Sequence, residues 1–200
     1  MLRDPTSILQ PSLSPNETLL WCGQPRQGIF LRASDAFLIP FSLLWAGFAI
    51  VWEVMAISML FGSFSSAASA PLGIRLIFPL FGIPFVLVGL YFMFGRFWFD
   101  RFLRERTYYG VTNERILIKT GVFSSTLKSL NLRSLADISL SEKSDGFGSI
   151  SFGGGSPFAW MFSGMSWWPG MPTFSGPVLD SIQNANSVYS IIRDAYAKQK

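Results

Sequence analysis

The clearest pattern along the chain is a pair of long apolar runs separated by a short stretch of small and polar residues. The first run, 36–61, contains one charged residue, Glu53, and residues 76–95 of the second run contain none. A helix needs about 20 apolar residues to cross about 30 Å of hydrocarbon, and both runs are long enough. The pattern therefore predicts a transmembrane hairpin with helices at 36–61 and 76–98 and a short external loop at 62–75.

The positions of the basic residues predict how this hairpin is oriented. The connecting loop has only Arg75, whereas the N-terminal arm, residues 1–35, has three arginines and a basic linker at 99–106 follows the second helix. Because basic residues collect on the cytoplasmic side of membrane helices, both termini are expected to be cytoplasmic. Two interpretations of the arm stay open: an ordered or partly ordered segment, with residues 19–21 resting either on the membrane interface or on the soluble domain, or a flexible leader.

After residue 106 the apolar positions alternate, which is typical of strands rather than helices. Near the C-terminus, from about Asn184, the spacing becomes helical and places four apolar residues on one stripe. The pattern predicts an α+β domain over residues 107–200, in the form of a small β barrel or a pair of sheets, with the C-terminal helix packed over the open end. The predicted strands are 107–112, 115–120, 126–132, 135–142 and 148–153, with a further candidate at 177–182, and the stripe consists of Val188, Ile191, Ile192 and Ala195.

Three stretches of this domain resemble the bacterial pleckstrin-homology-like (PH-like) family of small membrane proteins. Residues 109–121 match Y-x-(V/L)-T-N-x-R-I-x-I-x-x-G, residues 145–153 match D-G-x-G-x-I-x-F-G, and residues 188–192 match V-Y-x-x-I. The resemblance implies a capped β barrel after a helical hairpin in a bacterial inner membrane. It does not imply one activity, because this fold hosts lipid, peptide and protein binding. The basic motif of eukaryotic phosphoinositide binders is not clearly present.

An uncharged aromatic insertion interrupts the domain at residues 153–174. Exposed in water, such a segment would form an apolar patch of the kind that marks an interface. One interpretation places it in the headgroup layer, where tryptophan is favoured; the other packs it against the N-terminal arm or a second copy of the protein. The candidate contact residues are Phe158, Trp160, Phe162, Trp167 and Trp168.

Composition and charge favour a membrane protein with a modest soluble part. Half of the residues are hydrophobic and only 14% are charged, against about 25% in soluble proteins. The net charge of +4 is small, so its location matters more than its size. The cations after the second apolar run and on the predicted strands are the candidate contacts to anionic lipid: Arg101, Arg104, Arg106, Arg115, Lys119 and Lys128.

Glu53 is the one charged residue within the apolar runs 36–61 and 76–95, and such a residue indicates a functional site by default. The alternative is a protonated or hydrogen-bonded carboxyl at a contact between helices. No second charge lies within the apolar runs to continue a proton relay, which favours the structural interpretation and leaves an oligomer contact open.

The sequence excludes several kinds of catalytic and binding site. It has no histidine and a single cysteine, Cys22, so a histidine base, a disulfide and a zinc site are not expected. Phosphate-binding and nucleophile motifs are absent, and no cofactor, metal or nucleic-acid partner is expected. Three hypotheses follow: a non-catalytic lipid- or partner-binding module, a structural protein that self-associates or scaffolds a membrane complex, and, as the weakest, a transporter component that uses Glu53.

Overall fold

The computed structural model describes residues 4–29, 31, 35–61, 71–121, 125–135, 137–143, 145–153 and 176–199. The chain divides into two compact units. One is Leu31–Phe99, and the other combines Met1–Phe30 with Asp100–Lys200. The second unit is therefore made from both ends of the chain.

The helices and strands follow one another with the apolar hairpin in the middle. The helices are α1 (Pro5–Leu9), α2 (Asp35–Leu60), α3 (Leu72–Leu90), α4 (Arg96–Glu105) and α5 (Ala185–Lys198), and a π-helical turn, Tyr91–Gly95, joins α3 to α4. The strands are β1 (Leu19–Gly23), β2 (Thr107–Thr112), β3 (Arg115–Gly121), β4 (Ser125–Asn131), β5 (Ile138–Glu142), β6 (Phe147–Phe152) and β7 (Val178–Gln183).

Helices α2 and α3 pack through small side chains, which let the two backbones approach closely. Ala46 and Ala49 are buried on α2, and a Cβ added to Gly89 of α3 would lie 3.0 Å from the Cα of Ala46. Among the described residues of this unit, most other large apolar side chains are exposed; they are leucine, isoleucine, valine, phenylalanine, methionine and tryptophan. By length and composition, α2 and the helical segment Leu72–Glu105 are both candidate membrane spans.

Polar contacts join α2 to the helical segment Leu72–Glu105 at both ends of the hairpin. Asp35 and Arg96 form an ion pair of 2.9 Å with side chains less than 10% exposed. At the opposite end, Arg75 donates a hydrogen bond to the carbonyl oxygen of Leu60. These pairs align the two helices in one antiparallel register, with the small residues between them.

The strands form two antiparallel sheets. Sheet 1 has the order β1-β2-β3-β4 and sheet 2 has the order β5-β6-β7. No strand pair joins the two sheets among the described residues, so the closed β barrel predicted from sequence is not formed there. The strands enclose a core as two sheets, and helix α5 packs on this core through Val188, Ile192 and Ala195.

Strand β1 changes the predicted order of the domain. Residues 19–23 pair with β2 in the register Cys22↔Gly110 and Gly23↔Tyr109, so they belong to the soluble unit. The hairpin is therefore inserted between β1 and β2 and does not precede the whole domain. The sequence pattern missed β1 because its five residues do not alternate, and because their partner strand lies more than 80 residues further along the chain.

The outer face of sheet 1 is also covered, which the alternating pattern did not predict. Leu117 alternates along β3 onto the same face as Arg115 and Lys119, yet it is fully buried. Leu9 of α1 is fully buried too, and a Cβ added to Gly110 would lie 2.9 Å from the Cδ1 of Leu9. Gly110 thus leaves the space that lets α1 pack on this sheet.

Candidate functional site

Two of the six candidate lipid contacts, Arg115 and Lys119, are engaged by the N-terminal segment of the same chain. Arg115 donates two hydrogen bonds of 2.8 Å to the carboxylate of Glu17 and a third, of 3.1 Å, to the carbonyl oxygen of Ser12. Lys119 donates to the carbonyl oxygen of Ile8 at 3.0 Å. Both cations therefore take part in fastening residues 8–17 to the outer face of β3.

Glu17 is the acceptor at the centre of this contact. Its side chain has 0% exposure, and it also accepts a hydrogen bond of 2.7 Å from the hydroxyl of Thr112. The hydrogen bonds from Arg115, with smaller contributions from the Ser14 backbone and Thr112, lower the pKa of Glu17 from 4.5 to about 2. The same pairing raises the pKa of Arg115, so both groups stay charged at neutral pH.

Arg104 is a buried structural cation rather than a surface contact. Its side chain is 4% exposed and pairs with Asp100, one helical turn earlier, at 2.8 Å. Its guanidinium also lies 3.9 Å from Asp180 on β7 and donates to the carbonyl oxygen of Arg26 at 3.4 Å. Arg104 therefore links α4 to sheet 2 and to the segment that follows β1.

The other three candidate cations lie at the surface. Arg101 is 57% exposed and pairs with Glu105 at 2.9 Å, and the guanidinium of Arg106 lies 3.6 Å from the ring centre of Phe102. Lys128 on β4 pairs in register with Ile118, which puts it on the opposite face of sheet 1 from Arg115 and Lys119. The six residues thus do not form one basic cluster.

Glu53 and the aromatic insertion lie in different parts of the chain. The aromatic candidates, Phe158 to Trp168, fall within 154–175, outside the described residues. Glu53 lies at the contact between α2 and α3, where its Oε2 is buried without a hydrogen-bond partner in the described part of the chain. A Cβ added to Gly82 of α3 would overlap this oxygen.

A small polar cleft opens where sheet 2 meets the segment after β1. Its cavity volume is about 50 Å³. Two basic side chains and three hydroxyls surround it, an arrangement that suits a small anionic group. We call it the β5–β7 cleft, and it is lined by Arg26, Ser141, Lys143, Phe147, Ser149 and Ser181.

An irregular pairing between β6 and β7 shapes this cleft. The register shifts between Gly148 and Ile150, and Ser181 has a positive φ of 50°, a backbone conformation that is uncommon for residues other than glycine. The backbone N–H of Arg26 donates to the Ser181 carbonyl oxygen at 2.8 Å. The bulge therefore coincides with the point at which the N-terminal segment attaches to β7.

Charge at the mouth of the cleft is balanced within the protein. Arg26 donates to Asp145 at 2.7 Å and lies 4.7 Å from the ring centre of Phe147. The backbone N–H of Phe147, together with Arg26, lowers the pKa of Asp145. An incoming anion would compete with this carboxylate for Arg26. Among the described residues there is no group of three or more metal-ligating side chains.

The fold and these sites define a class: an α+β domain made of two sheets and a C-terminal helix, interrupted by an apolar helical hairpin. The model of one protein family, described as Bacterial PH domain, matches residues 36–193, which is most of the chain. The protein therefore belongs to the bacterial PH domain family, as the resemblance indicated. The matched range starts after β1. No curated protein and no solved structure matches the chain.

Sequence reasoning missed the role of the segment at residues 5–27. Glu17 and Leu9 contact strands about 100 residues away along the chain, and Arg26 contacts Asp145 in the turn before β6 and Ser181 on β7. The only local signal was their position in a polar, proline-containing arm, which carries no information about a distant partner. The apolar pair Ile8-Leu9 within this polar arm was the feature that could have suggested a buried anchor.

Proposed function

We propose that this protein is a non-catalytic binding module that a two-helix hairpin anchors in the bacterial inner membrane, with both termini in the cytoplasm. Membership of the bacterial PH domain family supports a binding module. The two helices that are long and apolar enough to span a bilayer support the anchor. The proposed ligand is the anionic headgroup layer next to the hairpin.

One observation carries this proposal: the hairpin leaves and re-enters the same sheet between β1 and β2. Because β1 and β2 are hydrogen-bonded neighbours, both connections to the membrane helices start from one edge of one domain. An even number of spans then keeps residues 4–29 and the C-terminal part of the chain on the same side of the membrane. Both ends of the hairpin therefore tether the domain to the proposed anchor.

The surface best suited to the headgroups is the exposed side of the segment that begins with α4. Arg101 and Arg106 are exposed on it, with Phe102 between them. Each basic residue near an anionic leaflet contributes about 1 kcal/mol, so these two arginines would strengthen the contact about thirty-fold. Arg101 pairs with Glu105 but stays 57% exposed. We do not assign Arg104, Arg115 or Lys119 to this surface, because they are buried or half-buried and hydrogen-bonded within the protein.

The membrane anchor is tested by placing single cysteines in full-length protein that carries Cys22→Ala. Membrane-impermeant maleimide should label cysteines at Asp4 and Lys198 from the cytoplasmic side and a cysteine at Pro71 from the opposite side only. Labelling of positions 4 and 198 from different sides, or extraction of the protein by alkaline carbonate, would overturn the anchor.

Lipid binding is tested by counting the anionic lipids that the purified full-length protein retains, with native mass spectrometry. We expect Arg101→Gln/Arg106→Gln to bind anionic lipid at least tenfold more weakly. The matched control is Arg133→Gln/Arg193→Gln, which removes the same charge from exposed positions elsewhere. Equal losses in the two double variants would contradict the assigned surface.

The alternative function is a structural protein that self-associates or scaffolds a membrane complex. It is supported by the buried, unpartnered carboxylate oxygen of Glu53 in the hairpin. Cross-linking of native membranes separates the two proposals. A ladder of homo-oligomers that persists without anionic lipid would favour assembly, and cross-linking to a different protein would favour a scaffold.

A further inference from the structure

We propose that the hairpin is a dimerisation element in which the Trp52 indole and the Glu53 carboxyl of one copy hydrogen-bond to Glu53 and Trp52 of a second copy. This inference rests on the proposed membrane anchor, because it depends on the hairpin being surrounded by hydrocarbon.

Trp52 and Glu53 converge on a notch that Gly82 leaves in α3. A Cβ at Gly82 would lie 3.3 Å from the Cδ1 of Trp52 and would overlap the Oε2 of Glu53. The pyrrole edge of the indole and the carboxyl group therefore lie on the same side of the hairpin. Gly82 is near the middle of α3, within the apolar part of the helix.

Neither polar group finds a complete set of hydrogen bonds within its own chain. Glu53 Oε2 is buried in the notch and has no partner in the described part of the chain, whereas Oε1 is not enclosed there and is the oxygen that a second copy can reach. Trp52 is 40% exposed, and its N–H has no hydrogen bond among the residues that the structure describes. Hydrocarbon offers no donor or acceptor, so groups left in this state are costly in a bilayer.

The chemistry of the two groups favours a second copy of the chain as the partner that contacts this face of the hairpin. The indole N–H is a donor only, and a carboxyl group supplies an acceptor oxygen, so one face presents both halves of a hydrogen bond. In a dimer with two-fold symmetry, a contact from Trp52 of one copy to Glu53 of the other is repeated from Trp52 of the second copy to Glu53 of the first. Two equivalent Trp52–Glu53 bonds then form across the dimer without any other protein.

The test measures dimerisation of the full-length protein in vesicles after a carbonate wash. Each chain carries Cys22→Ala and Lys198→Cys, and one fluorophore is attached to the new cysteine. The number of photobleaching steps then gives the number of chains in each complex, and it is counted over a range of protein-to-lipid ratios. Bonds between membrane helices contribute modestly, so we expect Glu53→Leu and Trp52→Phe each to weaken dimerisation about tenfold. Glu53→Gln keeps a hydrogen-bonding group and should stay within about threefold of the unchanged protein.

Two further measurements make the test specific for this contact. Phe48→Leu, one helical turn from Trp52 and 69% exposed, alters the apolar surface alone and should leave dimerisation unchanged. A mixture of Trp52→Phe and Glu53→Leu chains should form heterodimers more strongly than either variant forms homodimers, because the mixed pair keeps one donor and one acceptor.

Three outcomes would overturn the inference. Monomeric protein that stays in the carbonate-washed membrane would remove the dimer and leave the proposed function intact. Unchanged dimerisation of Glu53→Leu and Trp52→Phe, or no preference for the mixed pair, would show that a different surface joins the copies. Loss of the unchanged protein from the washed membrane would overturn the anchor and this inference together.

Discussion

At the scale of single residues, the soluble unit depends on a few side chains that connect its two distant pieces of chain. Glu17 holds Arg115 and Thr112 with a fully buried carboxylate, and Leu9 fills the space left by Gly110. Removing one member of a buried ion pair leaves an uncompensated charge, and shortening a buried leucine leaves a cavity. The attachment of the N-terminal segment should therefore be sensitive at these positions.

Acid should weaken this attachment in a defined pH range. The pKa of Glu17 is lowered from 4.5 to about 2, so its stabilisation is fully present above pH 4.5 and is lost as the pH falls toward 2. The lowering corresponds to about 3 kcal/mol. Thermal unfolding of the full-length protein in detergent should show this loss, and Glu17→Gln should start less stable and show a smaller loss over the same range. An identical pH profile for both proteins would contradict the role of Glu17.

Leu9→Ala should reduce the free energy of unfolding by about 2–4 kcal/mol, because the side chain is fully buried against sheet 1. The matched control is Leu127→Ala on β4, where the side chain is 40% exposed and we expect less than about 1 kcal/mol. Chemical denaturation in mild detergent provides the comparison. Similar losses at the two positions would show that α1 does not pack as described.

The local spacing of the candidate cations did not show which of them are exposed or which groups they pair with. Arg101 and Arg106 are exposed as a surface contact requires, whereas Arg104 is buried beside Asp100 and Asp180. Nothing in the local spacing separates Arg104 from its neighbours, because the acidic partner on β7 is brought to it only by folding.

At the scale of elements, the hairpin and the C-terminal helix follow directly from local patterns. Helical spacing predicted the stripe that α5 places on the core, and Val188 and Ile192 are fully or almost fully buried. Strand β1 did not follow from any local pattern. A short strand without alternation is recognised only through its neighbour, and β2 supplies that neighbour after the hairpin.

The register of the hairpin can be tested at Ala46 and Gly89. A Cβ at Gly89 would lie 3.1 Å from the Cβ of Ala46, which is close enough for a disulfide after a small adjustment. In the Cys22→Ala background, Ala46→Cys/Gly89→Cys should form an intramolecular disulfide on mild oxidation. Its presence is measured as protection of both thiols from alkylation.

The control for this pair is Ala46→Cys/Gly73→Cys, which keeps the cysteine on α2 and moves the second cysteine to the other end of α3. It should leave both thiols reactive under the same oxidation. Equal protection in the two variants would show that the register between α2 and α3 is different.

At the scale of the whole molecule, inserting the hairpin between β1 and β2 makes the soluble unit discontinuous in sequence. Its strands, its core and α5 all belong to residues 1–30 and 100–200. The hairpin makes a separate unit with its own small-residue contact. The soluble unit should therefore fold without the hairpin, provided that β1 remains attached.

A chain in which a short Gly/Ser linker replaces residues 31–99 should be soluble and monomeric and unfold cooperatively. A chain of residues 104–200 alone should aggregate or unfold without cooperativity, because it lacks β1, Glu17 and Leu9 and exposes the edge of β2. Circular dichroism melting and size-exclusion chromatography of the two chains compare them. Equal behaviour would mean that β1 contributes nothing to the fold.

The sequence by itself determined the two apolar helices, most of the strands, the C-terminal helix and the family, because each depends on periodicity or on a contiguous motif. Only the tertiary structure decided that the N-terminal arm supplies β1 and that Arg115 and Lys119 are covered by it. It also showed that Glu53 faces Gly82 beside Trp52. The physical reason is that these features are contacts between residues far apart in the chain, and a contact of this kind leaves no periodic trace in either segment alone.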